Sequence, residues 1–325
     1  RLVDISMILI TGATGLIGRH LIKALMQTSY QVRCFISPTD AKHLSWETDT
    51  PNAPEVIIGT LLDEEILFQA LVGVHVIIHL ESGQWWANAR QLERIELVGT
   101  RNLIAAARAN RVGRIITISH LGATPSSAFT LLRIKGQQEA IIRDSGLAFT
   151  IIRSGIVFAQ DDAFINHIAM AMSLNPLFMF MAGQGEVVIH PIFIDDLIKA
   201  ILVALERIET VDETFSIGGA EYITYEDLLL TIMRLTGQNR ILIKMPPYVL
   251  RWFNSITRLF VRRTLITKQW YDLIATNRTA PLGNLYHHFE FQPQRIEDTL
   301  LTYLPKKRLF FPALRYLFKK RPRGI

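Results

Sequence analysis

Residues Ile8 to Gly18 read Ile-Leu-Ile-Thr-Gly-Ala-Thr-Gly-Leu-Ile-Gly, a short apolar run followed at once by glycines at positions 12, 15 and 18. Each glycine has a separate physical task. Gly12 allows a tight turn out of the strand, Gly15 lets backbone N–H groups approach a pyrophosphate, and Gly18 lets the following helix pack closely on the strand. The start of that helix supplies the positive end of its dipole and N–H donors that no carbonyl satisfies. A glycine triplet alone is weak evidence, but the strand before it and the helical pattern after it are the context the motif requires. Gly12, Thr14, Gly15, Leu16, Ile17 and Gly18 are therefore candidate contacts to a nucleotide phosphate.

The rest of the first 160 residues repeats the strand–helix rhythm. Met7–Ile10, Gln31–Ile36, Val56–Ile58, Val74–Leu80, Arg114–Ser119 and Phe149–Ile152 are short, rich in β-branched residues and bounded by turn formers, as buried strands are. Leu16–Thr28, Asp63–Leu71, Gln91–Ala109 and Leu132–Ser145 carry apolar residues at helical spacing. This alternation predicts an α/β fold, a doubly wound parallel Rossmann sheet spanning residues 7–219. Beyond Gly155 the pattern loosens. His190–Asp195 and Thr214–Ile217 read as strands, and Asp196–Glu206, Thr224–Leu235, Pro247–Arg263 and Ile296–Tyr303 as helices. A smaller, mostly helical C-terminal lobe over 220–325 is expected, with residues 160–186 contributing to it.

Composition narrows the function classes. The chain has 325 residues, 49% of them hydrophobic, with a net charge of +6, which excludes a disordered chain. Cys34 stands alone, so no intramolecular disulfide or cysteine zinc site can form, in keeping with a reducing compartment. The most apolar stretch, Phe164 to Ala182, is interrupted by Asn166, His167, Asn175 and Pro176 and does not read as a membrane span. The four-residue run Met7–Ile10 is too short for a signal-peptide core. Charge is unevenly distributed. Arg240 to Ile325 holds 17 Lys and Arg against 4 Asp and Glu, a balance of +13, and leaves the rest of the chain at −7. An acidic body with a basic end suggests an anionic partner for that end.

Further motifs carry a resemblance. Gly12-Ala13-Thr14-Gly15-Leu16-Ile17-Gly18 has the glycine spacing of the extended and atypical short-chain dehydrogenase/reductases. Gly59-Thr60-Leu61-Leu62-Asp63 resembles their Gly-Asp-Leu-x-Asp turn, and Gly99–Leu103 with Ala105–Ala107 their central helix. Ile118-Ser119, Thr150–Gly155 and His190–Leu197 resemble stretches that follow in the same order. The later pattern Leu265–Gln269, Asp272–Ile274, Pro293 and Ile296–Tyr303 is similar to relatives of the NAD(P)H-binding accessory subunit of respiratory complex I and its bacterial homologues. The resemblance implies a dinucleotide site that adds Arg33, Ser37, Thr60, Leu61, Leu80, Glu81, Ser119, Lys135, Ser154 and Gly155 to the glycine loop.

In such folds a carboxylate near the end of the second strand bonds the ribose 2′-hydroxyl and disfavours a 2′-phosphate. Gln31–Ser37 contains none, which favours NADP(H) over NAD(H). Ser37 stands where many relatives carry an arginine, and Arg19, Arg33, Lys42 and His43 are candidate substitutes or ordinary surface charges. For catalysis the resemblance implies a tyrosine activated by a lysine four residues later. Lys135 matches the lysine, but Leu131 occupies the tyrosine position and Leu121 that of the substrate-polarising serine. Lys135 then has three readings: a ligand of the cofactor ribose, a partner of an acid from elsewhere, or an exposed helical lysine. His79, Glu81, His120 and Tyr222 are candidates for the acid. No metal site is expected, since the neighbouring His287 and His288 cannot share one face of a helix or strand.

At the basic end, Val249, Trp252, Phe253, Ile256, Leu259 and Phe260 fall on one face of a predicted helix, with Arg251, Arg258 and Arg262 opposite. That apolar face is expected to pack on the acidic body. Lys306–Arg308 and Lys319–Arg321 flank an aromatic stretch suited to an anionic membrane surface or a larger protein assembly. Nucleic acid is not expected, because no reading motif accompanies the charge. The combined expectation is an NAD(P)(H)-binding protein, cytoplasmic or peripheral on the inner face of a membrane, acting as an accessory, assembly or sensor protein with little or no catalysis. A reductase or epimerase/dehydratase with a non-standard proton donor is the alternative.

Overall fold

The computed structural model describes residues 7–42, 44, 46, 52–84, 87–304 and 309–319. His43, Lys306–Arg308, Lys320 and Arg321 lie outside them. In chain order the first part contains β1 (Met7–Thr11), α1 (Leu16–Leu25), β2 (Gln31–Ile36), β3 (Glu55–Ile58), α2 (Glu64–Ala70), β4 (Val76–His79), α3 (Ala89–Glu93), α4 (Gly99–Ala109), β5 (Arg114–His120), α5 (Thr130–Arg143) and β6 (Ala148–Ser154). There follow β7 (Val157–Phe158), α6 (Phe164–Leu174), β8 (Phe178–Ala182), β9 (Val188–Ile189), β10 (Ile192–Phe193), α7 (Ile194–Glu206), β11 (Glu213–Ile217), β12 (Ile223–Thr224), α8 (Tyr225–Thr236) and β13 (Ile241–Met245). The chain continues with α9 (Pro247–Phe260), α10 (Lys268–Leu273), α11 (Asn284–Phe289), α12 (Ile296–Tyr303) and α13 (Phe310–Phe318).

Contacts divide the chain into two units. The first takes the described residues up to Ser154 together with Leu197–Ser216; the second takes Gly155–Asp196 and the described residues from Ile217 onward. In the first unit, seven strands lie in the order β11-β6-β5-β4-β1-β2-β3, and the pairs from β3 to β6 are all parallel. Ile8, Leu9 and Ile10 are fully buried, as is Ile77–Ile78 in β4, which is why these strands read as unbroken apolar runs and not as alternating ones. From β1 the chain builds outward through β2 and β3, then returns to the other side of β1 with β4. That reversal between β1 and β4 is the topological switch point, where the crevice outside the carboxyl ends of the strands takes ligands.

Local signals explain the framing helices. The Asp63 side chain accepts the Ile66 N–H at 3.1 Å and caps α2, whose first turn carries Glu64 and Glu65 beside the positive end of the helix dipole. Leu67, Ala70, Leu103, Ile104 and Ile142 then pack with Leu9, Ile77, Ile115 and Ile151 of the sheet. The predicted helix Gln91–Ala109 is not continuous, because a π-helical turn at Arg94–Val98 separates α3 from α4. Such turns interrupt helices where a side chain must be re-aimed. The predicted strand His190–Asp195 reduces to β10, since α7 already begins at Ile194.

The second unit holds three two-stranded ladders, β10-β7, β12-β9 and β13-β8, among helices. Its core centres on Trp270, stacked on Phe164 at 5.1 Å between ring centroids, with Tyr225 and Tyr271 edge-on. Gly218 leaves room for the His190 ring, whose Nε2 bonds the Gly219 carbonyl at 2.9 Å while its Nδ1 accepts the Ala280 N–H. The expected packing of α9 is corrected. Trp252 is 65% and Phe260 78% exposed, and it is Leu250 and Asn254 that turn inward. Asn254, a polar residue on the inward face, broke the apolar pattern from which the opposite face was read.

Two buried histidines make the fold sensitive to acid. Burial, followed by the nearby Lys135 charge, pushes His79 down to about 3. Burial likewise pushes His167 down to about 4, against the bond to the Leu265 carbonyl, which favours the charged form. Both are neutral when folded and take up a proton when unfolded, so their contribution is present above about pH 6.5 and is lost as the pH falls. Urea denaturation between pH 7.5 and 4.5 should lose roughly 1.4 kcal/mol per pH unit per histidine in the lower part of that range. A midpoint unchanged across it would contradict the assignment of neutral rings.

Candidate functional site

The crevice is framed by the loop between β1 and α1. Gly12 has φ +68°, and a Cβ there would lie 2.5 Å from the Leu80 carbonyl carbon, so the turn can approach β4 only as glycine. At Gly18 a Cβ would lie 2.4 Å from the Gly12 carbonyl oxygen. Gly15 differs, since only that same oxygen, at 3.2 Å, stands near its absent side chain, and the residue is exposed. Gly15 is also the N-cap of α1, with no side-chain cap and no acidic residue in the first turn. The Leu16 and Ile17 end of the helix therefore presents N–H donors that the side chains around it leave uncapped. Arg19 Nη1 braces the loop through the Thr14 carbonyl at 2.9 Å.

A second observation points to the same crevice. Ser119, at the carboxyl end of β5, is buried, yet its hydroxyl has no hydrogen-bond partner. Buried hydroxyls in native proteins are rarely left unpaired. An open glycine cradle, an uncapped helix start and an orphaned hydroxyl at one strand end fit a dinucleotide. Gly12, Gly15, Leu16, Ile17 and Ser119 are the residues that would hold it. The bound group would supply hydride chemistry at its nicotinamide ring.

Beneath the cradle lies a buried polar network that the motifs did not disclose. Thr11 Oγ1 accepts the Leu80 and Glu81 N–H groups at 3.3 and 3.4 Å, so its own proton goes to His79 Nδ1 at 2.7 Å. His79 Nε2 then donates to Thr100 Oγ1 at 3.0 Å, and Thr100 donates to the Glu96 carbonyl at 2.6 Å. The Lys135 ammonium donates to Glu96 Oε2 at 2.8 Å and to Gln138 Oε1 at 3.2 Å. Ser82 donates to the other Glu96 carboxylate oxygen in a short bond. The two charged side chains are 5% and 0% exposed. Lys135 is therefore not an exposed helical lysine. The π-helical turn aims Glu96 inward, where it neutralises the ammonium.

Other expectations are revised. Arg33 is not a phosphate clamp, because its guanidinium is held by Glu55 at 2.7 Å and by the carbonyls of Ala70 and Val72 at 2.7 and 2.8 Å, where α2 ends. The strand end does have a carboxylate, supplied three residues later than expected. Ser37 Oγ donates to Asp40 Oδ2 at 2.9 Å and lies the same distance from the Thr39 hydroxyl. Thr60 accepts the Leu62 N–H in a local turn, and the Leu61 carbonyl accepts Asn102 Nδ2 at 3.0 Å. Gly155, in the second unit, is needed for packing, since a Cβ there would lie 1.7 Å from the His190 carbonyl oxygen. Ser154 is buried at the end of β6.

Among the candidate acids, His79 is committed to the network. His120 Nε2 lies 2.5 Å from Gln84 Oε1, and Tyr222 donates to the Ala280 carbonyl at 2.7 Å within the second unit. Glu81 stands apart. Burial first, then the charges of Asp40 and Glu96, push its carboxyl up to about 7, against the Gly12 N–H that favours the ionised form.

Two predictions follow from this geometry. Gly15→Ala should leave stability within about 1 kcal/mol while removing dinucleotide binding, whereas Gly18→Ala should cost about 2–3 kcal/mol through overpacking. Denaturation together with calorimetric titration of NADH separates the two effects. Glu96→Gln should cost about 3–5 kcal/mol by leaving the Lys135 ammonium buried without a counter-charge, and Glu96→Leu combined with Lys135→Met should cost less than Glu96→Gln alone.

Comparison with known proteins agrees with the geometry. Residues 12–170 match the NAD(P)H-binding family. The photosystem II assembly factor Ycf39 of Cyanophora paradoxa is 27% identical over 239 residues, covering 74% of this chain and 71% of that protein. Subunit 9 of the NADH dehydrogenase [ubiquinone] 1 alpha subcomplex of Mus musculus is 25% identical over 274 residues, covering 83% and 72%. Among solved structures, a UDP-glucose 4-epimerase of Thermotoga maritima superposes with a TM-score of 0.70 at 19% identity, covering 95% of this chain and 99% of the other. A short-chain dehydrogenase/reductase superfamily protein of Agrobacterium tumefaciens with bound NAD gives 0.66 at 19% identity, covering 95% and 97%. The chain thus carries an NAD(P)H-binding domain across residues 12–170, on the fold shared by short-chain dehydrogenase/reductases and sugar epimerases.

Proposed function

We propose that the chain binds a dinucleotide without turning it over and works as an accessory or assembly partner of a larger protein complex. One observation carries this reading: Lys135 is locked to Glu96 at 2.8 Å under the cradle, and Leu131, one helical turn earlier, offers no proton. A lysine whose charge is already matched by a buried carboxylate cannot also serve as the electrostatic partner of a proton donor. The names of the relatives, an assembly factor and a dehydrogenase subunit, support an accessory role.

The cofactor preference is reconsidered here. The expectation of NADP(H) rested on a strand end without a carboxylate, with Arg33 one of four candidates for the arginine that Ser37 replaces. Asp40 supplies that carboxylate, Glu81 adds a second within its electrostatic reach, and Arg33 is committed to Glu55. Two carboxyl groups facing one crevice disfavour an additional 2′-phosphate, so the reading favours NAD(H).

Docking falls to the second unit, whose α9 and α13 expose Trp252, Phe253, Phe260, Phe310 and Phe311 in the basic part of the chain. A peripheral location at an anionic membrane remains part of the proposal, and no helix among the described residues is long and apolar enough to cross a membrane. A second reading, a reductase or epimerase with an unusual acid, draws on Glu81, whose carboxyl is poised near neutrality.

One experiment addresses both readings. NADH should raise the melting temperature more than NADPH at equal concentration, and Asp40→Ser should narrow the difference. Cofactor oxidation across a panel of carbonyl substrates and sugar nucleotides should stay at background. Turnover that disappears in Glu81→Gln would establish the second reading instead.

A further inference from the structure

A cavity of about 320 Å³ is built entirely from residues of the second unit. Helix α6 contributes Ala171 and Leu174, β8 contributes Phe178, Phe180 and Ala182, and α9 contributes Phe253. Phe253 is 52% exposed, so the cavity opens beside that ring. No Asp, Glu, Lys, Arg or His is among the residues that line it. An ion entering this space would lose its hydration without gaining a counter-charge, so the cavity selects for neutral molecules. Much of the wall is aromatic, with Tyr225, Trp270 and Tyr271 joining the three phenylalanines, and flat rings pack favourably on such surfaces.

Polar groups in the wall are of two kinds. Asn254 Nδ2 donates to the Ile266 carbonyl at 2.8 Å, Thr257 to the Asn254 carbonyl at 3.0 Å, and Asn175 Oδ1 accepts the Leu177 and Phe178 N–H groups. The two tyrosines differ. Tyr225 is 1% and Tyr271 5% exposed, yet neither hydroxyl makes a hydrogen bond among the described residues. Buried tyrosine hydroxyls ordinarily find a partner. Trp270 Nε1 also lacks one, but it is fully enclosed, whereas the two hydroxyls are not. Both phenol rings stand edge-on to Trp270 at 5.7 Å between centroids. Burial, then the neighbouring Tyr271, holds the Tyr225 phenol well above its ordinary range, and burial pushes Tyr271 up to about 12 against the nearby Arg251 charge. Both therefore keep their protons at neutral pH and are donors without an acceptor.

We propose that this cavity is a binding site for a neutral aromatic carbonyl compound, its rings among the phenylalanines and its carbonyl oxygen accepting hydrogen bonds from the Tyr225 and Tyr271 hydroxyls. The proposal does not rest on dinucleotide binding. A void of this size falls at the lower end of ligand pockets and, at roughly 30 Å³ for each water-sized group, takes a compound of about two fused rings. 2-Acetylnaphthalene and 2-isopropenylnaphthalene share that shape and differ only in C=O against C=CH2. Titrated calorimetrically into the intact chain, the ketone should bind saturably at one molecule per chain, and the hydrocarbon at least about tenfold more weakly. The ionised 2-naphthoate should bind no better than the hydrocarbon. Tyr225→Phe with Tyr271→Phe, which breaks no hydrogen bond within the protein, should bring the ketone down to the affinity of the hydrocarbon. Ala171→Phe and Ala182→Phe fill the cavity from different walls, and whichever folds should abolish binding of the ketone. A ketone that does not saturate, that is matched by the hydrocarbon or the naphthoate, or that keeps its affinity in the tyrosine variant or in a folded filling variant would overturn the assignment.

Discussion

A lysine ammonium and a glutamate carboxylate, both withdrawn from water and 2.8 Å apart, set the character of the nucleotide-binding unit. Neither charge could be buried alone, because the desolvation cost of an unpaired ion is several kcal/mol. The pair therefore requires the π-helical turn that points Glu96 inward, the position of α5 that brings Lys135 to it, and the Gln138 and Ser82 bonds that satisfy the remaining lone pairs and protons. Through Thr100 and His79 the same network reaches Thr11, one residue before the first glycine of the cradle. The loop that meets the cofactor is thus fastened to a charge pair beneath it.

This arrangement separates binding from chemistry. The cradle, the uncapped start of α1 and the unpartnered Ser119 hydroxyl provide what a pyrophosphate and its neighbours need. The position from which a proton would be passed is leucine, and the lysine that would tune it is neutralised. A protein of this kind can sense or be stabilised by a dinucleotide through mass action alone, since any ligand bound only by the folded state shifts the folding equilibrium. Its remaining surface features, the exposed aromatics of α9 and the apolar cavity behind that helix, lie in the other unit. The nucleotide cradle and these exposed aromatics thus belong to different parts of the chain.

What could be read from the sequence, and what could not, has a physical basis. Strands β1, β4 and β5 were visible because both their faces are buried, which leaves continuous apolar runs, and the glycine loop was visible because three backbone constraints demand three glycines. The Lys135–Glu96 pair was hidden because spacing reports neighbours along a helix, whereas this contact joins residues 39 positions apart. A signal was nevertheless present: Glu96 interrupts the apolar stripe of Leu92, Ile95 and Gly99, and a charge on a buried stripe needs a partner. Asp40 was missed because the strand end was read only as far as Ser37, while the turn brings Asp40 back to that hydroxyl. The α9 face was misjudged because amphipathic spacing identifies an apolar stripe without saying what covers it.

The central claim is that Lys135 belongs to the protein's interior and not to its cofactor. Acetylation of lysines in the folded protein, read by mass spectrometry with and without saturating NADH, tests this directly. Lys23, Lys42 and Lys319, all exposed, should react in both samples, and Lys135 should react in neither. A Lys135 that reacts in the free protein and becomes protected when NADH binds would contradict the account, because that is the behaviour of a lysine that holds the cofactor ribose.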